Sequence, residues 1–440
     1  MWGNIQVYIT SYLNKVDGPV SLDDTSIIFV IQTVSQALFM PMAPFLMKYL
    51  PPWGCCIIGG IITIGGVFAS TFIKSYILFC IVYPTLFGMG IGFSYMAPIV
   101  SGWEYFPNRR GLVSGLIVLG FGFGSFIFGF ISLAVANPEN VDPELSVSGG
   151  KIFEASSPIA GRAPKMLRIN CAIWLGMLLI ALPLIRRKQQ SNNVEEDQDD
   201  ATSVEKNERL LSTPLSSDQT EIVKNVDPTF LQSMKDYRTL QIWIMMICSC
   251  SFPLYIASNF KSYEQKDLND DQFITIVGSV GAVFNGVSRG FWSSLMDLVG
   301  FKIVYITLLI LEIAIAFTFA LVHKVKALFF VWVCCSFTCL GGHFSIFPTL
   351  SAKIYGPAAG GKVYTVLFTA FAMGTIINFI LTKQSGKGSI DYEVLFYILA
   401  SMAILSLISA IFLNVNKKVI KKVEKTFGYD SSDYKIGTSS

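Results

Sequence analysis

The chain has 440 residues, 52% of them hydrophobic and 14% charged, and its 33 Lys and Arg against 30 Asp and Glu leave a net charge of only +3. A mean hydropathy of +0.55 is too high for an ordinary soluble protein. Apolar runs of the roughly 20 residues needed to cross a hydrocarbon core of about 30 Å recur along nearly the whole chain, so the composition is that of an integral membrane protein.

The chain opens on "MWGNIQVYITSYL", which is too short to span and has neither a basic n-region nor a small-residue cleavage site. It reads as the second half of span one. Spans two to six follow at roughly 25 to 47, 54 to 73, 76 to 99, 111 to 136 and 167 to 185. Spans seven to twelve run at roughly 240 to 261, 272 to 296, 302 to 322, 327 to 350, 361 to 382 and 392 to 413. Between the two groups lies 186–238, with 8 basic and 11 acidic residues and almost no aromatics. It cannot bury enough apolar surface to fold and is expected to be a disordered linker. Its Ser and Thr residues and the stretch "ERLL" leave phosphorylation and sorting open beside an inert tether. The expected organisation is a first bundle over 1–185, the linker, a second bundle over 239–413 and a tail over 414–440 with the Lys-rich "NKKVIKKVEK". With both termini placed in the cytoplasm, 20 of the Lys and Arg fall on that side and 12 on the other, which the positive-inside rule favours. The nine cysteines all fall inside spans without a Cys-x-x-Cys pair, so neither a disulfide framework nor a zinc site is indicated.

The two groups of spans repeat at one offset. "YFPNRRG" (105 to 111) follows span four and "IYGPAAG" (354 to 360) follows span ten, so Gly111 and Gly360 lie 249 residues apart. The loop after span two, with Lys48, maps onto the loop after span eight, with Asp297, at the same offset of 249. Six spans repeated in parallel are the architecture of the major facilitator transporters, whose substrate site lies near the midplane between the halves. The offset also sets Trp2 opposite Ser251, well inside span seven, so span one is expected to begin about nine residues before Met1, with a mis-set start or a fragment as the cause.

Charged and polar residues within the spans are the candidates for function. In "NGVSRGFWSSLMDLVG" Arg289 sits eight residues before Asp297. At 1.5 Å per residue it is about 12 Å inside the membrane. A cation there costs about 2.5 to 3.5 kcal/mol on insertion scales and faces a cavity or a partner. Its helix offers no acid one turn away, since Asn285, Trp292 and Ser293 occupy those places. A planar fork of donors without a local acid suits a carboxylate arriving from water, and an ion pair with another helix is the plain alternative. Glu312 in "LLILEIAIAF" is an acid well inside span nine, open to pairing a cation, carrying a coupling proton or simply staying protonated. His343 in "GGHFSIFP" either titrates or packs as a neutral imidazole. The glycines of "GLIVLGFGFGSFIFG" do not fit a nucleotide loop, and small residues in a span instead permit close helix approach at a moving interface. In "EYFPNRRG", Glu104 pairing with Arg109 or Arg110 would latch one state, or the two arginines simply set topology. No nucleophile with a matched base, metal cluster or phosphate cradle indicates an enzyme, and no cofactor is implied.

Taken together, "WGNI", "YFPNRRGLVSGLIVLGFGFGSFIFG", "GAVFNGVSRGFWSSLMDLVG" and "GGHFSIFPTLSAKIYG" resemble the oxalate:formate antiporter and monocarboxylate transporter group of the major facilitator superfamily. The resemblance implies an all-α membrane fold of two six-helix bundles in pseudo-twofold parallel repeat, the first helix being cut short here. It gives the span-eight arginine, matched by Arg289, the substrate carboxylate to bind. Oxalate-exchanging members add a lysine in span eleven, whose place in "LFTAFAMGT" is taken by Phe371, so one cation and one carboxylate are expected. Animal members have an aspartate one turn before the arginine, where this chain has Asn285, and a span-one lysine with no counterpart here. The loop "KYLPPWG" departs from the superfamily's Asp-Arg pattern, while "MDLVGFK" keeps its aspartate.

The reading is a secondary transporter for small organic anions, monocarboxylates first, working by alternating access with a proton or a counter-anion. A facilitator of amino acids or other solutes, and a non-transporting sensor, are the alternatives. Arg289, Tyr8, Tyr95, His343, Phe344 and Phe371 are expected to line the site, with Glu312 and His343 as candidates for proton coupling. Glu104, Arg109, Arg110 and Asp297 are expected in the gating loops. The expected partners are a small carboxylate and the lipid bilayer, with no nucleic acid and no metal.

Overall fold

In a hydrocarbon layer the backbone has no water to bond, so each apolar run folds as an α-helix that satisfies its own N–H and C=O groups. The computed structural model of the protein describes residues 2–185, 220–264, 271–322, 325–386, 391–418 and 420–426. The first half holds α1 (Trp2–Asp17), α2 (Leu22–Leu46), α3 (Pro52–Ser70), α4 (Tyr76–Tyr105), α5 (Arg110–Ala136) and α6 (Ala163–Leu184). The second holds α7 (Tyr237–Glu264), α8 (Asp271–Val299), α9 (Phe301–Val322), α10 (Lys326–Tyr355), α11 (Pro357–Gln384) and α12 (Tyr392–Phe412). Ten of these are long and apolar enough to cross a membrane. The other two are α1, which has 16 residues, and α8, which has 29 but whose apolar character is diluted by Asn285, Ser288 and Arg289.

The repeat read from the loops recurs in the helices. Leu22 and Asp271, and likewise Pro52 and Phe301, start paired helices 249 residues apart, while α4 and α10 are both 30 residues long. The halves meet through α5 against α8 and α2 against α11, two contacts that the repeat exchanges. On α5 the small residues do what the sequence suggested. A Cβ on Gly115 would lie 2.7 Å from the Arg289 carbonyl oxygen, and one on Gly122 would overlap the backbone of Gly286, so only glycine lets these backbones touch. One buried cluster runs from Tyr95, Met96 and Trp103 of α4 into α7 to α12, and a second gathers Trp2, Ile5, Tyr8, Tyr83 and Phe153 at the far end of the first half.

Two short strand pairs lie outside the helices. On one face β1 (Leu145–Val147) and β2 (Gly150–Ile152) form a hairpin. Its Ser148 hydroxyl bonds the Asp23 carboxylate, and Lys383 of α11 donates to the Asp23 carbonyl at 3.1 Å, tying the halves together there. On the opposite face, the linker face, β3 (Thr220–Val226) pairs antiparallel with β4 (Ile420–Thr426). A short helix, Phe230–Met234, opens on a capping box between Thr229 and Gln232 and sets Phe230 edge-on to Phe45 of α2. The 186–238 segment is therefore not wholly unstructured as expected: its last third is held by strand pairing, a capped helix and an aromatic contact. Residues 186–219, with "ERLL", and the tail beyond Thr426 lie outside the described residues.

Candidate functional site

Helix α8 is amphipathic in the inverted sense of a membrane protein. Phe284, Val287, Phe291 and Leu298 face outward, while Asn285, Ser288, Arg289, Trp292, Ser293 and Met296 are buried at helical spacing. The inward stripe is pressed against α10: a Cβ on Gly341 would run into Ser288 Oγ and the Asn285 carbonyl, and the Trp292 indole donates to the Thr338 carbonyl at 3.2 Å.

Arg289 stands where α5, α8 and α10 meet, with 7% of its surface exposed. Its Nε donates to Asn285 Oδ1 at 3.0 Å, and one terminal nitrogen donates to the Val118 carbonyl of α5, also at 3.0 Å. The sequence offered no acid one turn away, and the structure supplies a neutral amide oxygen there. Among the described residues no acid pairs with this guanidinium, and three of its five N–H donors make no hydrogen bond. Its plane lies over the Phe344 ring at 4.8 Å from the centroid.

An aromatic arc continues from that cation. Phe344 stacks on Phe371 with ring centroids 4.4 Å apart and planes 5° from parallel. Phe371 lies 5.1 Å from Phe368, which lies 5.8 Å from Tyr95 on α4 of the other half. Tyr364 is 6.3 Å from Tyr95, and both tyrosines lie within electrostatic range of Arg289. The structure thus gathers Arg289, Tyr95, Phe344 and Phe371 at the interface of the halves. It adds Tyr364, Phe368 and Asn285, which were not expected there. Tyr364, Phe368 and Phe371 are spaced four and three apart, so the stripe was readable from the helical period once Phe371 was chosen.

Two expected lining residues lie elsewhere. Tyr8 stacks on Phe153 at 5.9 Å in the distant cluster of the first half, because the hairpin strand β2 runs into α1 and covers it. His343 precedes Phe344 but points to the other side of α10, as successive helical positions must, and its Nε2 meets Glu312 Oε2 at 2.7 Å. Glu312 and His343, weighed separately in the sequence, are partners.

The gating loops also differ from expectation. Arg109 is exposed, Arg110 is half-buried, and neither pairs with Glu104. Asp297 bridges the helices at the linker face. Its Oδ2 accepts from the Leu112 amide at 3.1 Å at the start of α5, and its Oδ1 meets Lys353 at 3.3 Å. An acid at a helix N-terminus satisfies a free N–H and the helix dipole together. The Trp103 indole braces the same turn by donating to the Arg110 carbonyl at 3.1 Å and to Ser114 Oγ at 2.8 Å.

Residues 241–431 match the family model of the Major Facilitator Superfamily. Over 420 aligned residues the chain is 24% identical to apicoplast pyruvate carrier 1 of Toxoplasma gondii, covering 83% of this chain and 77% of that protein. It is 22% identical to the oxalate:formate antiporter of Oxalobacter formigenes, covering 86% and 80%. A 100-residue stretch is 29% identical to human monocarboxylate transporter 14, covering 22% of this chain and 20% of that one. Among solved structures, a proton:xylose symporter bound to 6-bromo-6-deoxy-D-glucose superposes with a TM-score of 0.67 at 12% identity over 94% of each chain, a likeness of fold. The second half of the chain thus matches the family model of the Major Facilitator Superfamily, and the chain shares its fold with that solved symporter.

Proposed function

We propose that this chain is a transporter that moves small monocarboxylates, with Arg289 as the group that takes the carboxylate. The observation that carries the reading is the state of that guanidinium: buried at the junction of the halves, paired with neutral oxygens only, and with three N–H donors unused among the described residues. A carboxylate would complete both its charge and its hydrogen bonds, each such charged bond contributing about 1.5 to 3 kcal/mol. The stacked Phe344 and Phe371 leave an apolar surface beside that one cation, which fits a short chain with a single charge. The names of the similar carriers, for pyruvate, for oxalate and formate, and for monocarboxylates, all specify small carboxylates.

Alternating access would follow from the same contacts. The bond from Arg289 to Val118 joins one half to the other, and a substrate competing for that donor weakens the joint. Closure by Asp297 on one face and by Lys383 on the other would alternate, with the linker face and both termini in the cytoplasm on the bias of Lys and Arg.

Counterflow in proteoliposomes tests the assignment, with labelled pyruvate exchanged against pyruvate, lactate, formate, acetate and oxalate. Saturable exchange of monocarboxylates is expected, with oxalate poor. Arg289→Gln is expected to weaken apparent affinity by about tenfold to a hundredfold, the loss of a charged hydrogen bond. Folded protein that exchanges none of these acids, or that takes oxalate as well as formate, overturns the reading.

A further inference from the structure

We propose that the buried Glu312–His343 pair is the proton site of this transporter, taking up one proton when a carboxylate occupies Arg289 and releasing it when the carboxylate leaves. The proposal rests on the substrate reading above and adds the coupling ion and its seat.

Glu312 of α9 and His343 of α10 are both fully buried and meet at 2.7 Å. Two further atoms of the pair, Glu312 Oε1 and His343 Nδ1, are buried without a hydrogen-bond partner among the described residues. Leaving buried polar atoms bare forfeits the hydrogen bonds they would make in water. An apolar pair of similar volume would pack the same space without that cost, so a merely structural role explains the site poorly. The bare atoms have a chemical meaning instead. When neutral His343 donates from Nε2 to an ionised Glu312, Nδ1 keeps a free lone pair and Oε1 stays open. Either can accept one more proton without disturbing the bond already present.

Among the described residues, the surroundings supply no competing charge. Tyr305 of α9 sets its ring edge-on to His343 and spends its hydroxyl on Ser249 of α7 at 2.9 Å and Ser406 of α12 at 3.0 Å. Cys250 of α7 and Cys339 of α10 are the other titratable groups near Glu312, and Phe347 lies against the imidazole.

Charge balance links this site to Arg289. In an empty carrier the unprotonated pair carries −1 and Arg289 +1, and with a carboxylate on Arg289 and a proton on the pair both sites are neutral. Either state keeps the net buried charge at zero. An anion without its proton, or a proton without its anion, leaves an uncompensated charge in the low-dielectric interior. The proton comes from water, forms one O–H or N–H bond on the pair, and breaks none; the substrate stays a carboxylate throughout. The mechanical link is short, since His343 and Phe344 are adjacent on α10 and Phe344 lies under the guanidinium. Trp292, one turn beyond Arg289, bonds the same helix, and a Cβ on Gly342 would strike both Trp292 and Leu308, so α8, α9 and α10 are in contact at this level.

The test compares two readouts in the same proteoliposomes made with the full chain: pyruvate counterflow without a gradient, and net pyruvate accumulation driven by an imposed pH difference. With one proton per anion, a difference of one pH unit drives about tenfold accumulation. In Glu312→Gln and in His343→Gln the ratio of gradient-driven uptake to counterflow is expected to fall by about tenfold, and Glu312→Asp to restore part of it. Robust counterflow with no response to the pH difference, or a Glu312→Gln protein that still accumulates pyruvate, overturns the proton site and leaves the substrate reading standing. Absence of all counterflow instead removes the substrate reading. Infrared difference spectra of the purified protein then decide the proton site alone. The expected result is a band that grows as pH falls, either a carboxyl stretch missing in Glu312→Gln or an imidazolium ring band missing in His343→Gln, and a spectrum with neither at any pH overturns the assignment.

Discussion

A guanidinium at mid-membrane depth is tolerated here because two oxygens and an aromatic face stand in for water. Asn285 Oδ1 and the Val118 carbonyl each accept one N–H at 3.0 Å, and Phe344 offers its negative ring face to the plane. These neutral partners hold the charge without cancelling it. Replacing Asn285 by Asp would put an anion at the position that already accepts the Nε bond. Asn285→Asp is therefore expected to raise the KM for pyruvate counterflow by about tenfold or more, because a resident carboxylate competes with the incoming one. An unchanged KM would remove Arg289 from the role of anion receptor.

Between helices, separation matters more than chemistry. Gly122 of α5 meets Gly286 of α8 backbone to backbone, and backbone cannot rotate away as a side chain can. Gly122→Ala is expected to force the helices apart at a cost of about 1 to 3 kcal/mol, seen as a lower thermal transition in detergent and slower exchange. Gly120, two residues earlier on the same helix, has nothing within 4 Å of its would-be Cβ, so Gly120→Ala is the control and should be neutral or slightly stabilising. Equal effects from both substitutions would mean that helix propensity, rather than the α5–α8 contact, sets the outcome.

Across the whole molecule, the two halves and the chain ends are knit together outside the helices. Asp236 lies under the start of α7, where Arg238 bonds it at 2.8 Å and Lys418 of the tail at 3.0 Å, while Arg238 also donates to the Asn414 and Asn416 carbonyls. The linker's end and the tail thus grip one carboxylate. Burial works to raise the Asp236 carboxyl, but the hydrogen bonds from the Arg238 side chain and backbone and from Lys418 outweigh it, holding it below its ordinary value of 3.8. A carboxylate depressed in the folded state stabilises it at every pH above the unfolded value, and that contribution is lost as pH falls through the folded one. The thermal transition is therefore expected to fall on acidification below about 4, and Asp236→Asn to lower it at pH 7 with little difference from wild type at the acid end. A constant gap between the two proteins at all pH values would assign the effect to packing.

Much of this was legible in the sequence because membrane insertion makes strong local demands. Hydropathy has to run for about 20 residues, a buried arginine has to be exceptional, and a repeated fold has to repeat its loops. From those demands came the spans, the two halves and Arg289 within them, while Phe371 came from the family resemblance and Tyr95 and Phe344 from helix position alone. Which face of a helix a residue presents to which neighbour is a tertiary fact. Tyr8 is a buried aromatic in a plausible helix, yet Phe153, just after strand β2, claims it. Asp297 binds the Leu112 amide across the halves, because the start of α5 arrives beside it from the other half. Glu312 and His343 are 31 positions apart on different helices, so no periodicity links them, and only the packing of α9 on α10 makes them a pair. The sequence by itself determined the membrane fold and the cation at its centre, since both follow from the free energy of placing single residues in lipid. The tertiary structure alone decided what surrounds that cation, since partners brought together from separate helices leave no mark in the order of residues along the chain.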